Sequence, residues 1–550
     1  MHSSFRQLID RNAPKMNHAM MRGLAVHKVG QLEQYINSVF RSAAKSFPEG
    51  LEYVGYERCS PLEEYTEATR ARSNNRNKRT GDIARSDIYM CKYQLRWKGV
   101  DLEPKYIYLP FLRESGEMWL GGAPYHISPV LSDRVISVGF DSVFVRLLRD
   151  KLTFKRCLHT LMVDGKRETT HVVWSKIYRN NASKRKVMPT TRANTTVMHY
   201  LFARMGFKAS MRALLGFDPV VSDTPFDKQQ YDPDKWVICN SACSVNNVKP
   251  ATYIGQFYKG TNIEIAIPKV HWNATVKSII GSVYYLLDHF PSKLTLSSLE
   301  NTQQWMILLG HIVFSGNYTD GKLYESINEH FNSLEGYVDT VIYRKLEDAG
   351  YSVNNLYDLL VLVIRNFNDW IVNAQSTINS VYGKELEVDY YVGFEITSGI
   401  FRFGFNLNKL AARKELTEKD VTEMLNRNIT TGAVYKLRSG NLAVSGLNYS
   451  GDNMYPKVTA IIAEQESLPG PKRGKHKRKV PDITRYFHSS MLEIGSMLYL
   501  PKSRPICTSR MNPYTSFVHT KETIMPRMYQ DILQKTQSMF DGHTPDDLPK

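Results

Sequence analysis

Apolar residues follow strand spacing in some segments of this chain and helix spacing in others, and this mixture constrains the fold most. The segment Ile88–Trp97 alternates between two faces and predicts a strand. Residues 195–215 carry apolar side chains three or four apart and predict two helices separated at Gly206. The same spacing at 351–371 predicts a core helix. Because no fixed-period repeat is present, we expect an α+β fold rather than a repeat array.

The length of the chain predicts several domains. At 550 residues it exceeds one hydrophobic core, and roughly 150 residues per domain gives three or four domains. No run of about 18 apolar residues is present, which argues against a membrane span. Six cysteines are too few for a disulfide scaffold and are typical of a reducing compartment.

The charge of the chain favours a polyanionic partner. Lys and Arg number 71 against 54 Asp and Glu, which gives a formal net charge of +17. An excess of this size is typical of proteins that bind nucleic acid. A basic protein without such a partner is the alternative that charge alone leaves open.

Much of this charge is concentrated in loops. A Gly- and Pro-flanked stretch crowds six cations into eight positions, and we predict that it contacts phosphates in a sequence-independent way. The alternative is a solvated loop. In the basic stretch at 70–79, a second candidate patch consists of Arg72, Arg76, Lys78 and Arg79. The residues of the first stretch, called the basic cluster below, are Lys472, Arg473, Lys475, Lys477, Arg478 and Lys479.

No complete catalytic or metal-binding pattern is present in the sequence. Asp232 and Asp234 flank a proline and predict a turn rather than a metal site. Cys239 and Cys243 lack a second Cys or His pair at zinc spacing, so we interpret them as buried or strand residues. We therefore predict no catalytic residue and no metal ligand in this chain.

Three segments, in order along the chain, resemble the β subunit of multisubunit RNA polymerases. Residues 428–441 resemble its fork region, in which a Thr-x-Gly turn leads into a short Lys-bearing helix that closes on Gly-Asn. Residues 105–122 resemble a strand, a Pro kink and a hairpin, although Gly121 stands where the family has Asn. Residues 487–492 resemble a Ser-Thr-Leu-rich strip, and 323–346 has the character of a long helix returning to the protrusion domain.

The resemblance implies a protrusion, lobe and fork architecture. Lys436 and Arg438 would face nucleic acid in the fork region, and its turn would be shaped by Thr430, Thr431, Gly432, Gly440 and Asn441. The implied segments are an N-terminal helical segment (1–29), the protrusion (30–154 and 330–400), the lobe (155–329), the fork region (401–526) and a C-terminal tail (527–550).

The chain ends before the second half that a full β subunit has, so the resemblance points to an N-terminal fragment of a split β subunit from a jumbo bacteriophage. Its implied partners are the C-terminal β fragment, the β′ fragments, template DNA and the RNA product, without a membrane. Mg²⁺ would be held by another subunit, and the isolated chain would be inactive. The implied location is the cytoplasm of the infected host or a phage compartment within it. The alternative is a basic phage structural or DNA-packaging protein, which would not co-purify with a polymerase.

Overall fold

The computed structural model divides the polypeptide into two compact units. Unit 1 comprises Met1–Arg134, Asp339–Val341 and Thr377–Lys550, and unit 2 comprises Val135–Val338 and Ile342–Ser376. Both contain helices and sheets, which confirms the predicted α+β, multidomain class. The protrusion, lobe and fork boundaries stay a prediction. The structure describes residues 27–73, 85–113, 117–127, 130–147, 151–175, 195–227, 229–242, 249–250, 257–258, 260–291, 293–314, 318–335, 338, 340–374, 380–411, 413–438, 444–446, 457–460, 488–490 and 508–510.

The predicted strand Ile88–Trp97 is the centre of the first sheet of unit 1. It pairs antiparallel with Leu51–Arg58 on one side and with Lys105–Pro110 on the other. Helix Leu32–Ala44 covers the sheet, and its Phe40 stacks on Tyr53 and Tyr93 with ring centroids 4.9 and 5.0 Å apart. The alternation of Ile88–Trp97 arises because one face meets this helix, which buries Cys91, Tyr93 and Leu95.

Two smaller sheets of unit 1 join segments from both ends of the sequence. The hairpin Glu117–Leu120 and Ala123–Ile127 pairs with Val444–Gly446, and strand Val130–Asp133 lies between Lys384–Glu387 and Lys457–Ala460. The remaining strands of this unit are Val100–Asp101 and Thr508–Arg510. Its helices are His27–Gly30, Leu32–Ala44, Pro61–Ser73, Asp389–Val392, Phe394–Ala411 and Glu418–Asn428, with 3-10 helices at Val381–Gly383 and Ala433–Arg438.

Unit 2 is built on an eight-stranded sheet whose centre is a long hairpin. Strands Lys151–Val163 and Lys166–Ser175 are joined by Asp164 and Gly165, both with positive φ, as a two-residue hairpin turn requires. The other strands of this sheet are Ile136–Val138, Ser142–Arg146, Thr195–Thr196, Val220–Ser222, Trp236–Ser241 and Glu264–Pro268. A separate two-stranded sheet pairs Lys249–Pro250 with Phe257–Tyr258.

The helices of unit 2 agree with the predicted spacing at two places. Helices Val197–Met205 and Phe207–Leu215 meet at Gly206, whose φ of 82° breaks them apart. The predicted core helix is Leu356–Ala374. The remaining helices are Ala274–His289, Thr302–Val313, Asp320–Glu335 and Thr340–Asp348 (most of which belongs to this unit), with 3-10 helices at Lys269–His271 and Leu296–Ser298.

The prediction of one long helix at 323–346 is wrong. One helix ends at Glu335, the next begins at Thr340, and Val338 between them is a buried bend. Gly336 follows the first helix directly in the sequence, and glycine destabilises a helix interior by about 1 kcal/mol relative to alanine. The apolar spacing continues across the break, which is why the sequence suggested a single helix.

Candidate nucleic-acid interface

The segment that resembles the polymerase fork begins at the end of a capped helix. Helix Glu418–Asn428 starts where Thr417 and Asp420 form a reciprocal capping box. After the buried Ile429 comes the fork turn, Thr430–Gly432, in which the Thr430 carbonyl accepts a hydrogen bond of 3.1 Å from the Ala433 N–H. The 3-10 helix Ala433–Arg438 follows. The sequence predicted a short helix after this turn, and the structure confirms it.

The fork turn is fixed to the strand of the upstream motif. The Tyr108 N–H in strand Lys105–Pro110 donates a 2.9 Å hydrogen bond to the Thr431 carbonyl. On the other side, helix Phe394–Ala411 comes so near that a Cβ at Gly399 would lie 2.7 Å from the Asn428 carbonyl oxygen. Two segments that resemble the polymerase family in sequence therefore lie in direct contact.

Lys436 lies on the outer side of the 3-10 helix. Ala433, Val434 and Leu437 are buried, so the helix leaves Lys436 exposed, and its Nζ lies 3.2 Å from Glu395 Oε2. A surface ion pair of this kind stabilises a fold by only about 0–1 kcal/mol. The pair with Glu395 therefore adds little to the stability of the fold.

A cleft of about 220 Å³ lies beside the fork turn and contains an unusual lysine. Lys105 is only 6% exposed, and its Nζ donates a 2.7 Å hydrogen bond to Asn426 Oδ1. Burial, opposed by the nearby Glu103 carboxylate, lowers the pKa of Lys105 from 10.5 to about 8. Thr431 also lines the cleft. The cleft therefore holds a buried amine of lowered pKa beside the fork turn.

A buried carboxylate organises the adjacent hairpin. Asp87 is 4% exposed and accepts hydrogen bonds from Arg113 Nε and Nη2, at 2.8 and 2.9 Å, and from the Trp119 N–H at 3.0 Å. The two-residue turn of the hairpin has Gly121 and Gly122 at φ of 60° and 82°, which favours glycine at both positions. The sequence reasoning predicted the hairpin but missed Asp87 and Arg113. An acidic residue directly before an apolar strand was the available signal.

A comparison with protein families shows the family of the chain. The family model described as non-virion RNA polymerase subunit matches residues 6–525, which is nearly the whole chain. The chain belongs to this family. No curated protein matches the sequence. Because the match spans both contacting motifs, the expectation of a phage RNA polymerase subunit is confirmed, and the alternative of a packaging protein without a polymerase role loses its support.

The strip at 487–492 has a structural role in this RNA polymerase subunit. Ser490 is 3% exposed, and its hydroxyl accepts a 3.0 Å hydrogen bond from the Val381 N–H and lies 2.7 Å from His488 Nδ1. The strip therefore holds the 3-10 helix Val381–Gly383. The structure describes His488, Ser489 and Ser490 of the strip. The other residues of the strip lie outside the described residues.

The described residues of the two candidate metal patterns have structural roles in the polymerase subunit. Asp232 forms a turn, since its carboxylate accepts the Asp234 N–H at 3.0 Å. Cys239 is buried in strand Trp236–Ser241, and burial raises the pKa of its thiol above the usual range. Within the described ranges, no three His, Cys, Asp or Glu side chains are placed to hold a metal ion. None of the described helices is long and apolar enough to cross a membrane.

Most of the predicted phosphate-contacting residues of the polymerase subunit stay a prediction. Gly440, Asn441 and the basic cluster lie outside the described residues, as does most of the stretch at 70–79. Arg438 ends the 3-10 helix, but its side chain is not described. Of the predicted contact residues, Lys436 alone is described with its side chain, and it lies four residues beyond the fork turn.

Proposed function

We propose that this chain is the N-terminal part of the β subunit of a DNA-directed RNA polymerase in which β is split between polypeptides. It builds one wall of the nucleic-acid cleft and approaches the RNA–DNA hybrid through the fork turn. Lys436, Arg438 and the basic cluster contact phosphates. The fork turn holds its shape through Thr430, Thr431 and Gly432, and Gly440 and Asn441 close the segment.

The observation that supports this proposal is the hydrogen bond between Tyr108 and Thr431. The two segments resemble separate parts of the β subunit and are far apart in sequence. Chance matches have no reason to pack against each other, whereas parts of one site do. Membership of the polymerase subunit family supports the coarser part of the proposal, that the chain is a polymerase subunit.

The chemistry of nucleotide addition is assigned to other chains. Transfer of a nucleotide requires Mg²⁺ ions held by clustered carboxylates, and we propose that a β′ fragment supplies them. The other partners are the C-terminal β fragment, template DNA and the RNA product. The complex acts in the cytoplasm of the infected bacterium or in a phage compartment within it.

Affinity purification tests the assembly. A tagged copy of the chain, expressed during infection, is recovered under native conditions and its partners are identified by mass spectrometry. We expect the polypeptide that carries the catalytic aspartates and one that carries the remainder of β. Recovery of capsid or packaging proteins without these polypeptides would contradict the proposal.

Localised cleavage tests the position of the fork turn. Fe²⁺ in place of the active-site Mg²⁺ generates hydroxyl radicals that cut nearby polypeptide. In the assembled enzyme we expect cuts in this chain near residues 430–438, and excess Mg²⁺ should abolish them. If the partner chain that holds the metal is cut while this segment stays intact, the chain is a polymerase subunit but its fork does not face the active centre.

A further inference from the structure

The hairpin region contains an arginine whose charge is not neutralised by the neighbouring side chains that the structure describes. Among these, Asp87 is the carboxylate paired with Arg85, at 3.9 Å, but it already accepts two hydrogen bonds from Arg113 and one from the Trp119 N–H. A bidentate Arg–carboxylate pair balances one charge with one charge. Arg85 therefore adds a net positive charge to this surface.

The side chain of Arg85 is positioned by a cation–π contact. Its guanidinium carbon lies 4.8 Å from the centroid of the Trp119 ring, and its Nε is 3.9 Å from Asp87 Oδ1, too far for a hydrogen bond. With the described residues, the guanidinium makes no hydrogen bond, and the side chain is 47% exposed. The cation–π contact holds the guanidinium against the ring, and a guanidinium carries its N–H donors in a rigid plane.

Arg58 is a natural comparison in the same unit. It lies over the Tyr89 ring at 4.0 Å, and its Nε is 3.9 Å from Glu33 Oε2. Glu33 pairs with no other cation among the described residues, so the charge of Arg58 is balanced. The two arginines share a cation–π contact and a carboxylate distance, but only Arg85 carries surplus charge.

We propose that Arg85, oriented by Trp119, binds a backbone phosphate of an unpaired nucleic-acid strand, a site that rests on the proposed polymerase function. A planar guanidinium with free N–H groups matches two phosphate oxygens. Phe111, which is 41% exposed, directly follows strand Lys105–Pro110, and its N–H donates a 3.1 Å hydrogen bond to the carbonyl of Asp87, two residues after Arg85 in the chain. Exposed rings on a positively charged surface are a combination on which unpaired bases stack without sequence preference. An acidic protein segment would not use the exposed ring.

The test compares three variants of the chain in the assembled polymerase. Arg85→Gln removes the charge, Arg85→Lys keeps the charge without the planar stack, and Arg58→Gln is the matched control. Binding of a labelled single-stranded oligonucleotide is measured by fluorescence anisotropy over a series of salt concentrations. Subunit composition is measured on the same preparations.

We expect Arg85→Gln to lower the log–log salt slope by about 0.7, the value of one phosphate contact on a single strand. Its affinity should fall about tenfold or more, as the loss of a charge-assisted hydrogen bond requires. Arg85→Lys should keep the slope with weaker binding, and Arg58→Gln should match the wild type.

Two results would overturn the inference. One is a slope for Arg85→Gln equal to that of Arg58→Gln. The other is loss of a polymerase subunit from Arg85→Gln alone, which would make the occupant a protein surface. Either result is compatible with the proposed function if the wild-type chain assembles with the other polymerase polypeptides. If the wild-type chain recovers none of them, the proposed function itself fails.

Discussion

Replacing Lys105 by methionine is expected to stabilise unit 1. Burial lowers the pKa of Lys105 from 10.5 to about 8, and at about 1.4 kcal/mol per pKa unit the buried charge costs the fold about 3 kcal/mol at pH 7. The variant loses the hydrogen bond to Asn426, and this loss cancels about 1 kcal/mol of the stability gained by removing the buried charge. Because Asn426 is exposed, its amide oxygen returns to water. The net gain is about 2 kcal/mol.

The gain should depend on pH in a defined direction. The folded state holds fewer protons at Lys105 than the unfolded state between pH 8 and 10.5, because its folded pKa is the lower one. Unfolding takes up a proton in this window, so the stability of the wild type rises with pH. At pH 10 the cost of the buried charge has fallen to about 1 kcal/mol, and the advantage of Lys105→Met should vanish.

Urea unfolding followed by pulse proteolysis measures this effect in one unit. Mass spectrometry of the peptide that spans Lys105–Pro110 reports the stability of unit 1 at pH 7 and at pH 10. Lys92→Met is the control, since Lys92 lies on the neighbouring strand and pairs with Glu57 and Glu63 at 3.0 Å each. This control should not be stabilised at either pH. A Lys105→Met variant that is destabilised at pH 7, or equally stabilised at both pH values, would refute the reasoning.

Four further results are expected. Gly281→Ala should destabilise unit 2 by about 1–3 kcal/mol in urea unfolding, because its Cβ would overlap the Thr170 methyl group, and Thr170→Ser should restore part of the loss. Asp87→Asn should lower the stability of unit 1 by about 1–3 kcal/mol in the same assay, since Arg113 loses its carboxylate partner. Neutralising three charges of the basic cluster should lower the salt slope of DNA binding by the assembled enzyme by up to about three. The purified single chain should add no nucleotide to a primed template in Mg²⁺.

Local spacing in the sequence was enough to predict several elements. Alternation gave the strand Ile88–Trp97 because one of its faces is buried under a helix. Gly206 marked the break between two helices because its positive φ is accessible to glycine at no steric cost. The hairpin at 117–127 followed from its family-like pattern, and its Gly121–Gly122 turn agrees with the required backbone.

Contacts between distant segments could not be read from spacing. Asp87 meets Arg113 across 26 residues, and although an acidic residue before an apolar strand is a signal for Asp87, nothing in its segment indicates Arg113 as the partner. Lys105 looks like an ordinary strand residue, and its spacing gives no sign of its burial or of its hydrogen bond to Asn426, 321 residues away. The break near Val338 was missed because apolar periodicity reports burial and continued across it.

Strand Val130–Asp133 has no partner strand during part of the synthesis of the chain. Its first neighbour in the sheet is Lys384–Glu387, and Lys384 lies 251 residues after Asp133 in the chain. At roughly 5–20 residues per second, a ribosome needs about 13 to 50 s to supply that partner. During this interval both edges of the strand lack their native neighbours and are open to other strands or to chaperones. Unit 2 is nearly contiguous in sequence and can therefore fold before the second half of unit 1 has been synthesised.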